Sequence, residues 1–339
     1  MADLPSLIDE AARGLGLSGV VRLDMGGRTA VERAYGLAHR ALSVPNRPDT
    51  QFAIASGSKG FTALAVTSLV DNGVLSLATT ARSILGRDLP LIDDRVTVHH
   101  LLVHRSGIGD YLDEEVPHQP DDYVMSVSAH ELSTTEQFLR VLDGHPQKFL
   151  PGERFSYSNG GYVVLALLAE RASGMGFHEL VSQRVLTPAG MADTSFLRAD
   201  ELPARAALGY LDGVGPRTNV FHLPVRGNGD GGAYTTAGDM HRFWNALFAG
   251  SILPSERVEQ MLTPSTIATS EGVAYGLGFW LHESADAVEL HGFDAGVGFV
   301  SVRHREAGWT FTVVVNTSRG AWPMRQRLLE LVRQPSDEM

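Results

Sequence analysis

Two residues three positions apart carry the strongest chemical signal in this sequence. Ser56 and Lys59 lie in the segment 52–64, which reads Phe-Ala-Ile-Ala-Ser-Gly-Ser-Lys-Gly-Phe-Thr-Ala-Leu. If a helix starts near Ser56, both side chains share one face with Cβ atoms about 5–6 Å apart, so the amine can reach the hydroxyl. Such a pair is typical of a serine nucleophile beside its general base.

Lysine is otherwise almost absent from the chain. It occurs at positions 59 and 148 only, while arginine supplies the remaining permanent positive charge. An arginine stays protonated, whereas a desolvated lysine can lose its proton and act as a base. Because Ser-x-x-Lys is short enough to occur by chance, other motifs have to support the catalytic interpretation.

The elements around this pair indicate strands at both ends of the chain and helices between them. Apolar periodicity predicts helices over 4–15, 134–143, 160–172, 177–186, 237–249, 254–262 and 321–333, a buried helix after Ser56 and a short helix in 96–112. It predicts strands over 18–25, 29–35, 273–282, 286–291, 297–304 and 309–316. Residues 208–235 are expected to form connecting loops, and 111–133 a variable loop or lid.

We therefore predict an α+β fold with an antiparallel sheet flanked by helices. In this prediction residues 1–55 and 232–339 form the sheet domain, built from both termini, and residues 56–231 form an inserted, mainly helical domain. A length of 339 residues allows either two domains or one domain with a large insertion.

Composition limits the partners. A net charge of -11 and a pI near 5.6 disfavour nucleic acid and anionic membranes, which select basic surfaces, and favour a small-molecule substrate. The absence of cysteine excludes disulfides, a thiolate nucleophile and cysteine-ligated metal.

The N-terminus and the apolar segments bear on location. Residues 1–10 carry acidic residues where a signal peptide has a basic region, and no stretch approaches about 20 uninterrupted apolar residues. These features predict a cytoplasmic protein without a membrane span. The oligomeric state is left open.

A second motif, Tyr157-Ser158-Asn159, follows a Pro-Gly turn at the start of a predicted helix. A phenol near an ammonium is expected to have a lowered pKa and to relay a proton, and an asparagine amide can hold a substrate carbonyl. The structural alternative is a turn followed by a helix N-cap.

Together these motifs resemble those of the serine β-lactamase-like, penicillin-binding-protein-like superfamily, which includes class C β-lactamases, DD-peptidases and family VIII carboxylesterases. The resemblance extends in family order over about 15–335, through the segments 101–107, 151–153, 188–194 and 231–239. It implies an active site between the sheet and the helical insertion, with Ser56 as nucleophile and Lys59 and Tyr157 taking its proton.

The third motif of that family, Lys-Thr-Gly or His-x-Gly, is altered here to Leu290-His291-Gly292-Phe293. If Gly292 is the family glycine, Leu290 takes the basic position; if His291 is the basic residue, Phe293 falls where glycine belongs. We favour the first register, because a small residue is needed where substrate lies along the strand edge. The oxyanion hole is then expected to be the N–H groups of Ser56 and Phe293, and carboxylate recognition is weakened.

Three further patterns support weaker interpretations. Gly227–Gly232 matches G-x-G-x-x-G, but no βαβ unit surrounds it. His100 and His104 are spaced like zinc ligands, yet no glutamate follows His100. The sequence has no Gly-x-Ser-x-Gly elbow.

These observations predict a serine hydrolase that needs no metal or organic cofactor and forms an acyl-enzyme on Ser56. A carboxylesterase is favoured; the alternatives are an amidase or peptidase acting on D-amino acid substrates, a β-lactamase of the same superfamily, and a catalytically silent ligand-binding homologue. The predicted substrate-binding residues are Asn159, His291, Gly292 and Phe293.

Overall fold

Strands from both ends of the chain form one antiparallel sheet. The computed structural model describes residues 3–116, 122–211, 213–267, 273–282 and 286–333. Its strands are β1 (Gly19–Met25), β2 (Arg28–Tyr35), β3 (Leu37–His39), β4 (Val44–Pro45), β5 (Phe52–Ala53), β6 (Tyr234–Thr235), β7 (Thr266–Ile267), β8 (Ala274–Tyr275), β9 (Trp280–His282), β10 (Ala287–Asp294), β11 (Val297–His304) and β12 (Trp309–Val315). Within these ranges the main sheet has eight strands in the order β2-β1-β12-β11-β10-β9-β8-β7, and β3-β4 and β5-β6 form two small ladders.

Helices cover the sheet and fill the segment between its two halves. They are α1 (Leu4–Gly14), α2 (Lys59–Asp71), α3 (Ala81–Leu85), α4 (Val98–Leu102), α5 (Leu139–Leu142), α6 (Asn159–Ser173), α7 (Phe177–Val181), α8 (Ala237–Phe248), α9 (Ser255–Met261) and α10 (Ala321–Arg333). This arrangement confirms the predicted fold class. The domain boundaries at 55/56 and 231/232 stay a prediction.

The two chain ends meet at β12. In the β1–β12 ladder Gly19 pairs with Val315 and Met25 with Trp309, and every residue of β12 is buried. Side chains alternate across a strand, so Val313 and Val315 pack with α1 and α10, whereas Val314 joins the larger core on the opposite face. The pairing of β1 with β12 therefore joins the N-terminal and C-terminal segments in one sheet, and β12 is buried on both faces.

The α2 and α6 helices form the centre of the larger core. Residues 59–69 of α2 and 159–169 of α6 are buried all round, as expected for helices that are apolar on every face. Their N-terminal residues meet, because Lys59 Nζ donates to Asn159 Oδ1 at 2.8 Å. The candidate functional site lies where these two helices begin.

One strand prediction is wrong. The segment 273–282 forms two short antiparallel strands, β8 and β9, separated by residues 276–279. Gly278 has φ +89°, a conformation that side-chain-bearing residues rarely adopt, so the strand cannot continue through it.

Other predicted elements shift by smaller amounts. The predicted helix 134–143 is a 3₁₀ turn, Thr135–Phe138, followed by α5. The predicted loops at 208–235 end in β6. Of the predicted loop or lid at 111–133, residues 117–121 lie outside the described residues.

A buried carboxylate joins β10 to its neighbours. Glu289 is 2% exposed and accepts hydrogen bonds from Arg325 of α10, at 2.6 and 2.8 Å, and from His291 at 2.7 Å. Burial by itself would raise the pKa of Glu289, but contacts from His282, His291 and Arg325 hold that pKa well below its ordinary value. The ionised form therefore stabilises the folded state.

We expect Glu289→Gln to unfold about 3 kcal/mol more easily at pH 7, since it leaves Arg325 without a buried counter-charge. A carboxyl with a lowered folded-state pKa contributes stability above its unfolded pKa of about 4.3 and loses it as pH falls further. The difference between wild type and variant should therefore narrow between pH 5 and about 3. Urea denaturation across this range measures it, with exposed Glu306→Gln as control; a constant difference would contradict the prediction.

Candidate active site

Ser56 lies in a 3₁₀ turn, Ala55–Ser58, immediately before α2. The predicted helix therefore starts at Lys59 rather than near Ser56, but residues i and i+3 eclipse in a 3₁₀ turn and the two side chains still meet. Ala55 has φ +43°, which costs about 1–2 kcal/mol for a residue with a Cβ. Its carbonyl accepts from Gly232 N at 3.2 Å and Ser58 Oγ at 3.0 Å, and these bonds hold the turn.

The turn sits against β10 with no space between the two backbones. A Cβ on Gly292 would lie 2.1 Å from Ile54 O and 2.8 Å from Ser56 N. A Cβ on Gly60 would likewise lie 2.7 Å from the side chain of Leu290. Glycine at these positions allows the Ser56 turn and the start of α2 to touch the strand.

Lys59 is 2% exposed, and three oxygen atoms lie within hydrogen-bonding distance of its amine. Nζ lies 2.8 Å from Ser56 Oγ, 2.8 Å from Asn159 Oδ1 and 2.6 Å from the backbone oxygen of Asp230. Burial lowers the pKa of Lys59, and the carboxylates of Asp230 and Glu114 oppose that shift. An amine with a lowered pKa, in contact with a hydroxyl, can take its proton.

Tyr157 lies beside this pair, with its ring centroid 4.9 Å from Lys59 Nζ and stacked on Trp280 at 6.0 Å. The predicted lowering of its pKa is wrong. Burial, followed by the Glu114 carboxylate, raises the pKa of Tyr157 well above its ordinary value, and a hydrogen bond with Ser56 opposes this only in part. Tyr157 is therefore a neutral phenol, which can relay a proton by donating its own while accepting another.

Asn159 holds the site together from the first turn of α6. Its Oδ1 accepts from Lys59, and its Nδ2 donates to Leu112 O and Glu114 Oε1, both at 3.1 Å. The N-cap of α6 is Ser158, which accepts from Gly161 N at 3.0 Å. Both ends of the Asn159 amide are thus engaged within the protein, and a direct contact with substrate stays a prediction.

His104 and His100 have separate structural contacts. His104 is 1% exposed; its Nδ1 accepts from Ser158 N at 3.0 Å, so its Nε2 carries the proton toward Tyr275 Oη at 3.2 Å. Burial lowers the pKa of His104 well below its ordinary value, consistent with a neutral ring. His100 Nδ1 accepts from Thr97 N at 3.3 Å. In the described ranges no group of three His, Cys, Asp or Glu side chains is placed to hold a metal ion.

The third-motif residues occupy different environments along β10. Leu290 is 2% exposed in the core, whereas Phe293 is 47% exposed at the site entrance. His291 is half-buried, stacked on Trp280 with centroids 5.0 Å apart and bonded to Glu289. The Gly292 backbone lies directly against the Ser56 turn.

Three carboxylates that the motifs did not reveal lie around the site. Glu114, Asp230 and Asp294 come from distant parts of the chain, and the Asp230 carboxylate accepts a hydrogen bond from Tyr111. Burial, with repulsion from Asp230 and Glu114, raises the pKa of Asp294 to about 7. No local pattern marks these residues, since the fold alone brings them together.

The glycine-rich segment 227–232 packs across α2 and α6. A Cβ on Gly229 would lie 2.1 Å from Tyr162 O, and Thr62 Oγ1 donates to Gly229 O at 2.6 Å. These glycines serve close packing and deliver the Asp230 carbonyl to Lys59. The segment is not the turn between a strand and a helix that a dinucleotide requires.

Comparison with known proteins agrees with this geometry. A family model for Beta-lactamase matches residues 5–333. The chain belongs to the Beta-lactamase family. Members of this family are serine hydrolases, and the superfamily resemblance found in the motifs is confirmed.

Relatives within the Beta-lactamase family differ in their named activities. Esterase EstB of Burkholderia gladioli is 36% identical over 219 residues, which cover 62% of this chain and 55% of EstB. A D-aminopeptidase of Brucella anthropi is 27% identical over 79% of this chain and 50% of its own. The chain thus spans little more than half the length of these curated relatives.

A solved Beta-lactamase-fold structure is similar over nearly the whole chain. The penicillin binding protein from Bacillus halodurans has 36% sequence identity and a TM-score of 0.89, covering 96% of this chain and 99% of its own.

None of the described helices is both long and apolar enough to span a bilayer.

We expect Lys59→Arg to slow the modification of Ser56 by a fluorophosphonate by about 10²–10⁴, as much as Lys59→Ala. A guanidinium keeps the charge but cannot act as a base. The rate is followed by intact mass on variants whose melting curves match wild type.

Lys148→Arg is the matched control, because Lys148 lies in a partly exposed ion pair with Asp113. Its modification rate should stay within about twofold of wild type. If Lys59→Arg kept most of the rate, Lys59 would act as a fixed charge and not as a base.

Proposed function

We propose that this protein is a serine hydrolase that cleaves carboxylic esters through an acyl-enzyme on Ser56. The observation that carries the proposal is the 2.8 Å contact between Ser56 Oγ and the buried Lys59 Nζ. Burial lowers the Lys59 pKa, and a general base is most effective when its pKa approaches the working pH.

The acceptors around Lys59 support a mechanism in which its amine is neutral. A neutral amine keeps two N–H groups and one lone pair. In this mechanism the two N–H groups donate to Asn159 Oδ1 and Asp230 O, and the lone pair accepts the proton of Ser56 Oγ. The fixed acceptors therefore aim the lone pair at the nucleophile.

Acylation then forms the bond between Ser56 Oγ and the carbonyl carbon, and the bond from that carbon to the alcohol oxygen breaks. The departing oxygen receives the serine's proton from Lys59, relayed through the neutral phenol of Tyr157. In deacylation, water adds to the acyl carbon and Lys59 takes its proton, with the phenol of Tyr157 able to relay it. The bond from that carbon to Ser56 Oγ then breaks, Lys59 returns the proton to Oγ, and the free carboxylic acid leaves.

The developing oxyanion is assigned to the backbone N–H groups of Ser56 and Phe293. The close approach of Gly292 to Ser56 N supports this register, because Phe293 follows Gly292 directly along β10. Such donors are typically worth about 10²–10³ in rate each.

The ester preference is supported by Leu290. In the favoured register this apolar, buried side chain takes the position of the family's basic residue, so a substrate carboxylate would lose a charge-assisted contact. An ester carbonyl needs no such contact, and the similarity to EstB is consistent with this choice.

The direct test is to trap the acyl-enzyme. Mixing the protein with p-nitrophenyl butyrate should add one butyryl group to a peptide containing Ser56, and Ser56→Ala should abolish both the adduct and turnover. Ser251→Ala, at an exposed serine, is the matched control. An unmodified protein without turnover would instead support a silent ligand-binding homologue.

A second candidate is an amidase or peptidase whose substrate carries a free ammonium. Glu114 and Asp294 line the clefts at Ser56, while no Lys or Arg lines them among the described residues. Negative side chains attract a cationic substrate group, and the D-aminopeptidase relative favours this reading.

Three substrates on one preparation separate the candidates. We expect kcat/KM for p-nitrophenyl butyrate to exceed that for a chromogenic cephalosporin by at least about a hundredfold, near the upper end of what one charge-assisted contact contributes. D-phenylalanine amide should be slower than the ester. Ser56→Ala supplies the blank.

Two outcomes would contradict the esterase assignment. Comparable cephalosporin cleavage would mean that another residue supplies a carboxylate site. Faster hydrolysis of D-phenylalanine amide, lost on N-acetylation, would establish the ammonium-dependent candidate.

A further inference from the structure

Ser56 stands at the boundary between two clefts of different character. The first, which we call the deep cleft, has an apolar wall formed by Met125, Leu197, Leu223, Val225, Tyr234 and Val297. The second, which we call the aromatic cleft, is lined by Phe155, Tyr157, Trp280, His291 and Trp322. Ser56, Glu114 and Phe293 line both clefts.

The residues around Lys59 divide between these clefts. Tyr157 lines the aromatic cleft, whereas Asn159 and Asp230 line the deep cleft. In ester cleavage the departing oxygen must lie within reach of the group that protonates it. If Tyr157 relays that proton, the departing oxygen is on the aromatic side of Ser56.

We propose that the deep cleft holds the acyl chain and that the aromatic cleft selects a planar aromatic alcohol as leaving group. This assignment rests on the proposed ester hydrolysis and specifies the substrate class. The protein would thus prefer aryl esters of apolar carboxylic acids over alkyl esters.

The geometry of the aromatic cleft suits a flat ring. Trp280 is stacked at 16° against both Tyr157 and His291, with centroids 6.0 and 5.0 Å apart. Trp322, at the start of α10, stands at 88° to His291 and is 41% exposed. An exposed indole beside a fixed aromatic wall offers both face and edge contacts to a substrate ring.

The deep cleft offers a different surface. In its apolar wall Val297 is 1% exposed, Val225 5% and Tyr234 8%, and the remaining residues are half-buried. A fixed apolar wall of this kind gains affinity as an acyl chain buries further methylene groups. Phe293 lines both clefts and lies at the boundary between the acyl side and the leaving-group side.

The two halves of the reaction allow the clefts to be tested separately. The leaving group is present only during acylation, whereas the acyl group stays through deacylation. A change in the aromatic cleft that leaves Tyr157 intact should therefore alter kcat/KM without altering the deacylation rate, and a change in the apolar wall of the deep cleft should alter deacylation.

The experiment compares Trp322→Ala with Leu223→Ala, and uses exposed Phe221→Ala as a control outside both clefts. Phenyl and 2-naphthyl butyrate probe the leaving group, and p-nitrophenyl acetate, butyrate and octanoate probe the acyl chain. Decay of the isolated butyryl-enzyme, followed by intact mass, gives the deacylation rate. Trp322→Phe serves as a second, milder variant.

We expect Trp322→Ala to reduce the naphthyl-to-phenyl ratio of kcat/KM by about two- to tenfold, the range of one aromatic contact, with butyryl-enzyme decay unchanged. Trp322→Phe should keep most of the ratio. Leu223→Ala should change the acyl-length preference and the decay rate while keeping the naphthyl-to-phenyl ratio. Each ratio comes from one preparation, so the folded fraction cancels.

The opposite pattern would overturn the assignment. In that pattern Trp322→Ala would alter the acyl-length preference and the butyryl-enzyme decay but keep the naphthyl-to-phenyl ratio of kcat/KM. A naphthyl-to-phenyl ratio and an acyl-length preference equal to wild type in all variants would also overturn it. A failure of the proposed hydrolysis looks different, because no butyryl-enzyme would then form with any ester.

Discussion

The burial of one amine is the constraint on which the site depends. An isolated ammonium in a protein interior is very costly, so Lys59 requires acceptors in fixed positions or must give up its proton. The structure supplies Asn159 from α6 and the Asp230 carbonyl from a glycine-rich segment. These partners hold the amine on Ser56 and bring together parts of the chain that are about 170 residues apart.

The same arrangement depends on backbones that touch. Gly292 lies against the Ser56 turn and Gly229 against α6, and a methyl group at either position would overlap a carbonyl oxygen. The hydrogen bonds of the Ala55 carbonyl then hold a residue with positive φ directly before Ser56. Local strain at this point is maintained by the surrounding contacts, as is common at functional sites.

Two carboxylates of β10, Glu289 and Asp294, lie in different electrostatic environments. Glu289 is enclosed by Arg325 and two histidines, which lower its pKa and fix β10 to β9 and α10. Asp294, five residues further along β10, faces other carboxylates, and its pKa rises to about 7. The first charge is compensated and serves the fold, whereas the second is uncompensated at the cleft, where a substrate can interact with it.

What the sequence determined by itself is local. The spacing of Ser56 and Lys59, the Tyr157 motif, and the order of strands and helices follow from short-range periodicity and motif chemistry, and these predicted the fold class and the family. The environment of each group was decided by tertiary structure. The motif around Tyr157 predicts a lowered pKa, but burial and the carboxylates of distant segments raise it. Distant segments also supply hydrogen-bond partners for the Asn159 amide. The fold brings Glu114, Asp230 and Asp294 to one cleft. Burial and electrostatic interaction depend on distance in space, which spacing along the chain does not specify.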